Sequence, residues 1–137
     1  MDTPQLLLLL GLSLVAAAVA FGLQRRRPEP PTAPSYRAPG QVDRDDFAEP
    51  GAPTLVVVFT AVTCGGCAAV WDQVQALASD EVAVQNVEVS ADASLHKRYR
   101  IDGVPTTLVV GTDGAVSASF FGPVSDDDLT LALLGQS

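Results

Sequence analysis

Both cysteines of this 137-residue chain lie in one motif, Thr63-Cys64-Gly65-Gly66-Cys67, set where a β-branched run, Leu55 to Phe59, gives way to a helix-like stretch, Ala68 to Ala78. No other internal disulfide can form, and no second cysteine pair exists for a metal. Two thiols three residues apart at the start of a helix lie on one face. Their Cα atoms would then be on the order of 5 to 6 Å apart, inside the range a disulfide tolerates. A strand, a C-x-x-C and a helix in a βαβ setting read as a redox motif, so dithiol–disulfide exchange is the expectation to test.

The runs flanking the motif predict the rest of the domain. Thr54 to Thr60 is continuous and apolar, the pattern of a central strand covered on both faces. Glu81 to Ser90, with Val82, Val84, Val87 and Val89, is a second such run. Asp92 is placed to cap a helix reaching Arg100, with Lys97, Arg98 and Arg100 at its C-terminal end and Leu95, Tyr99 and Ile101 on its buried side. Thr106 to Val110 and Ala115 to Phe121 are short strands joined around Thr112-Asp113-Gly114, a strong hairpin signal. Ser125 opens a last helix with Asp126, Asp127 and Asp128 in its first turn and Leu129, Leu131, Leu133 and Leu134 running to Gly135. Ahead of the first strand, Asp43 to Glu49 predicts a short helix anchored by Phe47 and stopped by Pro50-Gly51. The order is β-α-β-α-β-β-α. Parallel strands linked by crossover helices and finished by an antiparallel hairpin imply an α/β fold, a mixed central sheet with helices on both faces.

The N-terminal part is of another kind. Residues 1–4 form a short N-terminus, and from Gln5 to Leu23 there is no charge. About 19 residues at ~1.5 Å rise span roughly 28 Å, close to the ~30 Å hydrocarbon core, so 5–23 reads as a transmembrane helix. Ala18-Val19-Ala20 resembles a signal-peptide cleavage site, but no Lys or Arg precedes the apolar run and Arg25-Arg26-Arg27 follows it, the reverse of signal-peptide charge order. By the positive-inside rule the arginines stay cytoplasmic, which puts the following domain in the cytoplasm of a single-pass cell-membrane protein. Residues 24–40 hold Pro28, Pro30, Pro31, Pro34 and Pro39 and read as a stiff, extended linker. The folded domain is then 41–137. The formal net charge of −8 argues against nucleic-acid binding, which needs a basic face.

With the motifs in order, residues 41–136 resemble the thioredoxin superfamily, in the manner of small membrane-anchored bacterial thioredoxin-like proteins with a C-G-G-C site. The likeness rests on strand-Cys64-Gly65-Gly66-Cys67-helix, on Gly103-Val104-Pro105-Thr106 opening the third predicted strand, and on Gly122 after the hairpin. It implies the thioredoxin fold, a cis Pro105 packed beside the cysteines, and Val104 offering its backbone to a substrate strand. Thr63, Gly65 and Gly66 become the active-site loop. The chain departs from the family pattern at four places. Thr63 stands where Trp is usual, Val58 where reducing thioredoxins bury an aspartate as proton relay, Gly66 where the family has proline, and Asp72 where a proline kinks the helix.

In thiol chemistry the thiolate attacks, and a helix N-terminus lowers a cysteine's pKa. Cys64 is the predicted nucleophile and Cys67, one turn deeper, the resolving thiol. No Lys, Arg or His adjoins the pair, which predicts an intermediate to reducing potential and exchange in the reducing direction. No cofactor and no metal are expected. The partners are protein disulfides, an upstream thiol reductase as electron donor, and the membrane. Two other readings stand beside this one: a catalytically weak binding module of the same fold, and an extracytoplasmic accessory protein handling a metal or cytochrome thiols. Trp71 reads as a packing residue, His96 as an exposed helical residue, and Asp126-Asp127-Asp128 as a solvated cap.

Overall fold

The computed structural model describes residues 2–25 and 37–136. The chain forms two compact units, dividing between Ser35 and Tyr36. The first holds α1 (Thr3–Arg25), in which the stretch Thr3–Gly22 has a mean hydropathy of 2.2. Its length and composition suit a membrane anchor and a signal sequence alike. Most of the linker predicted over 24–40 lies outside the described residues.

The second unit is an α/β domain with a mixed four-stranded sheet in the order β2-β1-β3-β4. The elements are β1 (Thr54–Thr60), α2 (Cys67–Gln75), β2 (Val82–Glu88), α3 (Ala93–Arg98), β3 (Thr106–Val110), β4 (Val116–Phe121) and α4 (Asp126–Leu134). Every residue of β1 and β3 is buried, as continuous apolar runs require of strands covered on both faces. On one face Leu55, Val57, Phe59, Leu108 and Val110 pack with Phe47, Ala83, Val87 and Tyr99. On the other, Val56, Val58 and Val109 pack against Val70 and Val74 of α2 and Leu129 of α4, with Trp71 half-buried among them.

Several expectations are corrected. β3 runs antiparallel to β1, not parallel, whereas β2 is parallel to it. The cause is the length of α3: six residues advance only ~9 Å, against more than ~20 Å for a seven-residue strand. The chain therefore re-enters the sheet from the end where β2 left it. β2 is an edge strand with only Ala83 and Val87 buried, not a strand covered on both faces. α2 stops at Gln75 rather than Ala78, because Leu77 and Ala78 bond three residues back and the Ser79 hydroxyl accepts the Glu81 and Val82 N–H groups. α3 ends at Arg98 rather than Arg100, which turns left-handed (φ 53°) while the Ile101 N–H returns to His96 O at 2.9 Å. Asp92 precedes α3, but its side chain makes no cap bond. The segment at Asp43 is a single 3-10 turn, Arg44–Asp46, closed by the Asp43 side chain on the Asp45 N–H; Phe47 is its buried anchor.

His96 is buried, not exposed. Its Nε2 donates to Val87 O at 2.8 Å and its ring meets Phe59 edge-on at 5.1 Å. On so short a helix docked along β2, the residue after Leu95 turns inward, and a carbonyl at the strand satisfies its polar edge.

Two devices tie the N-terminal segment down. Arg44, only 6% exposed, donates to Gly111 O, Ala52 O and Glu49 O at 2.9, 2.9 and 3.2 Å. Desolvation lowers its pKa from the ordinary arginine value. Tyr99 donates its hydroxyl proton to Asp46 Oδ2 and accepts the Asp43 N–H, while Arg98 pairs with Asp46 at 3.1 Å. Burial, together with the Asp46 carboxylate, raises the Tyr99 pKa. At the hairpin, Gly114 (φ 79°) accepts the Val42 N–H at 2.9 Å, and any Cβ there would sit 2.1 Å from Val42 O. Only glycine allows that approach.

Candidate active site

The site grows out of the end of β1. After Thr60 the chain turns through Ala61 and Val62, and the Cys64 N–H bonds Ala61 O at 3.0 Å. α2 begins at Cys67 with Gly66 at the N-cap position, so Cys64 lies just ahead of the helix rather than in its first turn. The sequence predicts the helix from Ala68; it starts one residue earlier, at Cys67. Cys64 and Cys67 form a disulfide with Cα atoms 5.5 Å apart, in the range predicted. Cys67 is 4% exposed and Cys64 is partly exposed, while Thr63, Gly65 and Gly66 are open to solvent.

β3 brings a second segment to the same end of the sheet. Thr106 is the register partner of Phe59, so the Val104–Pro105 peptide lies level with the last residue of β1. That peptide is cis. Pro105 is buried and its carbonyl accepts the Gly122 N–H at 2.9 Å; Val104 is partly exposed. The Thr106 hydroxyl closes the preceding turn on Gly103 O at 2.7 Å. The three segments that carry the resemblance thus converge on one end of the sheet.

Four polar residues at this end escaped the sequence reading. The Glu88 carboxylate accepts the Val62, Ser90 and Ala91 N–H groups and the Ser90 hydroxyl, so the end of β2 holds the loop that leads to Cys64. Partial desolvation raises its pKa, but the bonds from Ser90, Val62 and Ala91 outweigh this and hold it below the ordinary carboxylate range. Thr60 Oγ1 donates to Asn86 Oδ1 at 2.6 Å. Thr107 is wholly buried in β3. A glutamate at a strand end and a threonine in an apolar run carry no signal of their own in sequence. Val58, at the position where the family keeps a carboxylate, is fully buried between Asn86 and Thr107 in the strand register.

A mixed sheet with helices on both faces, a disulfide at the junction of β1 and α2, and a cis X-Pro bond entering the neighbouring strand define a thioredoxin-fold domain with a C-x-x-C cysteine pair. The chain belongs to the thioredoxin family, whose family model matches residues 43–134. Solved structures agree. A mutant thioredoxin from Halobacterium salinarum is 26% identical, with a TM-score of 0.58 over 72% of this chain and 87% of that one. The germline-specific thioredoxin Deadhead from Drosophila melanogaster is also 26% identical, with a TM-score of 0.54 over 63% of this chain and 83% of its own. A malarial protein at 20% identity shares the fold, with a TM-score of 0.53 over 61% of this chain and 97% of that one. No curated protein matches the chain.

Proposed function

We propose that this chain is a membrane-anchored thiol–disulfide oxidoreductase that reduces protein disulfides, built as a short N-terminus (1–4), a transmembrane helix (5–23), a linker (24–40) and a catalytic domain (41–137). The observation that carries it is the unequal exposure of a bonded cysteine pair: Cys64 partly exposed, Cys67 buried at 4%. Cys64 as thiolate attacks a substrate disulfide; one substrate sulfur leaves as a thiolate and a mixed disulfide forms. Cys67 then attacks Cys64 Sγ, releases the second substrate thiolate and closes the internal disulfide. Two electrons pass to the substrate. Thr63, Gly65 and Gly66 leave room for it, and Val104 and Pro105 supply the edge along which an extended peptide docks. An upstream thiol reductase returns the electrons. The arginines after the apolar helix support a cytoplasmic domain.

Insulin reduction by the full-length protein in detergent tests this reading. Wild type turns over with dithiothreitol as donor, Cys64→Ser is inactive, and Cys67→Ser accumulates a mixed disulfide with substrate. Wild-type rates at background, or no trapped species with Cys67→Ser, would sink the proposal.

A further inference from the structure

Among the described residues two buried side-chain polar atoms lack a hydrogen-bond partner, Arg44 Nε and Thr107 Oγ1. Arg44 satisfies its other nitrogens, but Thr107 has one polar group and leaves it unpaired in the core. Hydroxyls are seldom buried this way without a reason, and a redox or catalytic role is among the recognised ones. Its place is informative. Side chains alternate along a strand, so Thr107 shares a face with Val109, which packs with Val56, Val58, Val70 and Val74. In register it stands beside Val58. α2 begins after β1 ends and packs over that face through Val70 and Val74, so Cys67, one turn before Val70, lies toward the end of the sheet that carries Val58 and Thr107. The neighbouring polar groups there are engaged: the Thr60 hydroxyl donates to Asn86, and the Glu88 carboxylate accepts from Val62, Ser90 and Ala91.

We infer that Thr107 is a positioning residue for Cys67, an uncharged donor beside Val58. The inference rests on the exchange chemistry proposed above. When a donor thiolate attacks Cys64 Sγ, the S–S bond breaks and its electron pair leaves on Cys67 Sγ as a thiolate, with no proton transferred in that step. The Thr107 O–H then donates a hydrogen bond to that sulfur. In the forward direction the same bond holds the Cys67 thiolate until it attacks Cys64 Sγ in the mixed disulfide. The hydroxyl is unsatisfied in the disulfide state and satisfied in the dithiol state, so it favours the dithiol.

The test is the equilibrium constant for reduction of full-length protein in detergent by glutathione, for wild type, Thr107→Val and Thr107→Ser. Thr107→Val keeps the shape and removes the donor; it lowers the constant about tenfold, which is about 30 mV for a two-electron couple. Thr107→Ser stays within about twofold of wild type, well inside the change set by one hydrogen bond to a charged group. A Thr107→Val value equal to wild type, or a Thr107→Ser value displaced as far as Thr107→Val, overturns the role. Exchange of the Thr107 hydroxyl proton by NMR in wild type gives a measure that needs no variant: it slows on reduction, and equal exchange in both redox states overturns the role. A wild-type protein that equilibrates with glutathione while Thr107 proves inert leaves the oxidoreductase reading standing. One that does not equilibrate defeats both.

Discussion

Reducing the Cys64–Cys67 bond should destabilise the domain, and the size of the effect reports the direction in which the protein works. The bond closes a loop of only four residues, since the cysteines are three apart in sequence. Chain-entropy arguments give a loop of that length about 2 kcal/mol of stabilisation, through the unfolded state. Gly65 and Gly66 make the open loop more flexible, which acts in the same sense. Opposing it, a thiolate at the start of α2 gains roughly 0.3 to 1 kcal/mol from the helix N-terminus. In Thr107→Val, which lacks the hydroxyl inferred above to favour the dithiol by a similar amount, the disulfide form should therefore be more stable by about 1 to 2 kcal/mol, a potential roughly 20 to 40 mV below that of the same dithiol in an unfolded chain. The assay is urea unfolding of full-length Thr107→Val in detergent, oxidised and reduced, followed by the fluorescence of Trp71, the chain's single tryptophan. With a slope of about 1.5 kcal/mol/M, the oxidised midpoint should lie about 1 M higher. A reduced form as stable as the oxidised one, or more so, is the signature of a disulfide-forming oxidant, and would refute both the loop argument and the reducing direction.

Arg44→Met removes a guanidinium that bonds three main-chain carbonyls. The gain from not burying a charge offsets part of the loss, so the expected cost is about 2 to 4 kcal/mol. Insulin reduction per folded molecule should be unchanged, because Gly111 follows the end of β3 away from Pro105; an unshifted urea midpoint would contradict the clamp. Tyr99→Phe loses the bonds to Asp46 and the Asp43 N–H and should cost about 1 to 2 kcal/mol, read from the same transition. Glu88 has a lowered folded pKa, so its contribution is present above the unfolded carboxylate value and is lost as pH falls through the lower folded value. Protection of the Val62 amide, its exchange rate relative to that of the unfolded chain at the same pH, should fall on acidification below the ordinary carboxylate range. Glu88→Gln should show low protection at both, and a Val62 protection that does not change with pH in wild type would remove Glu88 from the loop's support.

Some of this domain is written locally. α4 is an example: Ser125 caps through the Asp128 N–H, three acidic residues occupy the first turn, and Gly135 ends it, all within eleven residues. The Asp113-Gly114 turn and the strands around it, and the cysteine pair at the end of an apolar strand, are legible for the same reason. The signals that misled are those whose outcome depended on a distant partner. His96 reads as solvated among Lys97 and Arg98, yet Phe59 and the Val87 carbonyl provide it with a buried niche. Arg44 carries no signal of its own in the sequence, and only the fold gathers three carbonyls around it.

The sequence by itself determined the position of the cysteine pair, the apolar N-terminal segment and the order of the elements, because spacing, propensity and charge order act over a few residues. Tertiary structure decided that β3 runs antiparallel, that β2 lies at the edge, and that Glu88 holds the loop leading to Cys64. Those outcomes follow from how far a six-residue helix can carry the chain and from which polar groups find partners once two faces of a sheet are covered, quantities that no local stretch of sequence contains.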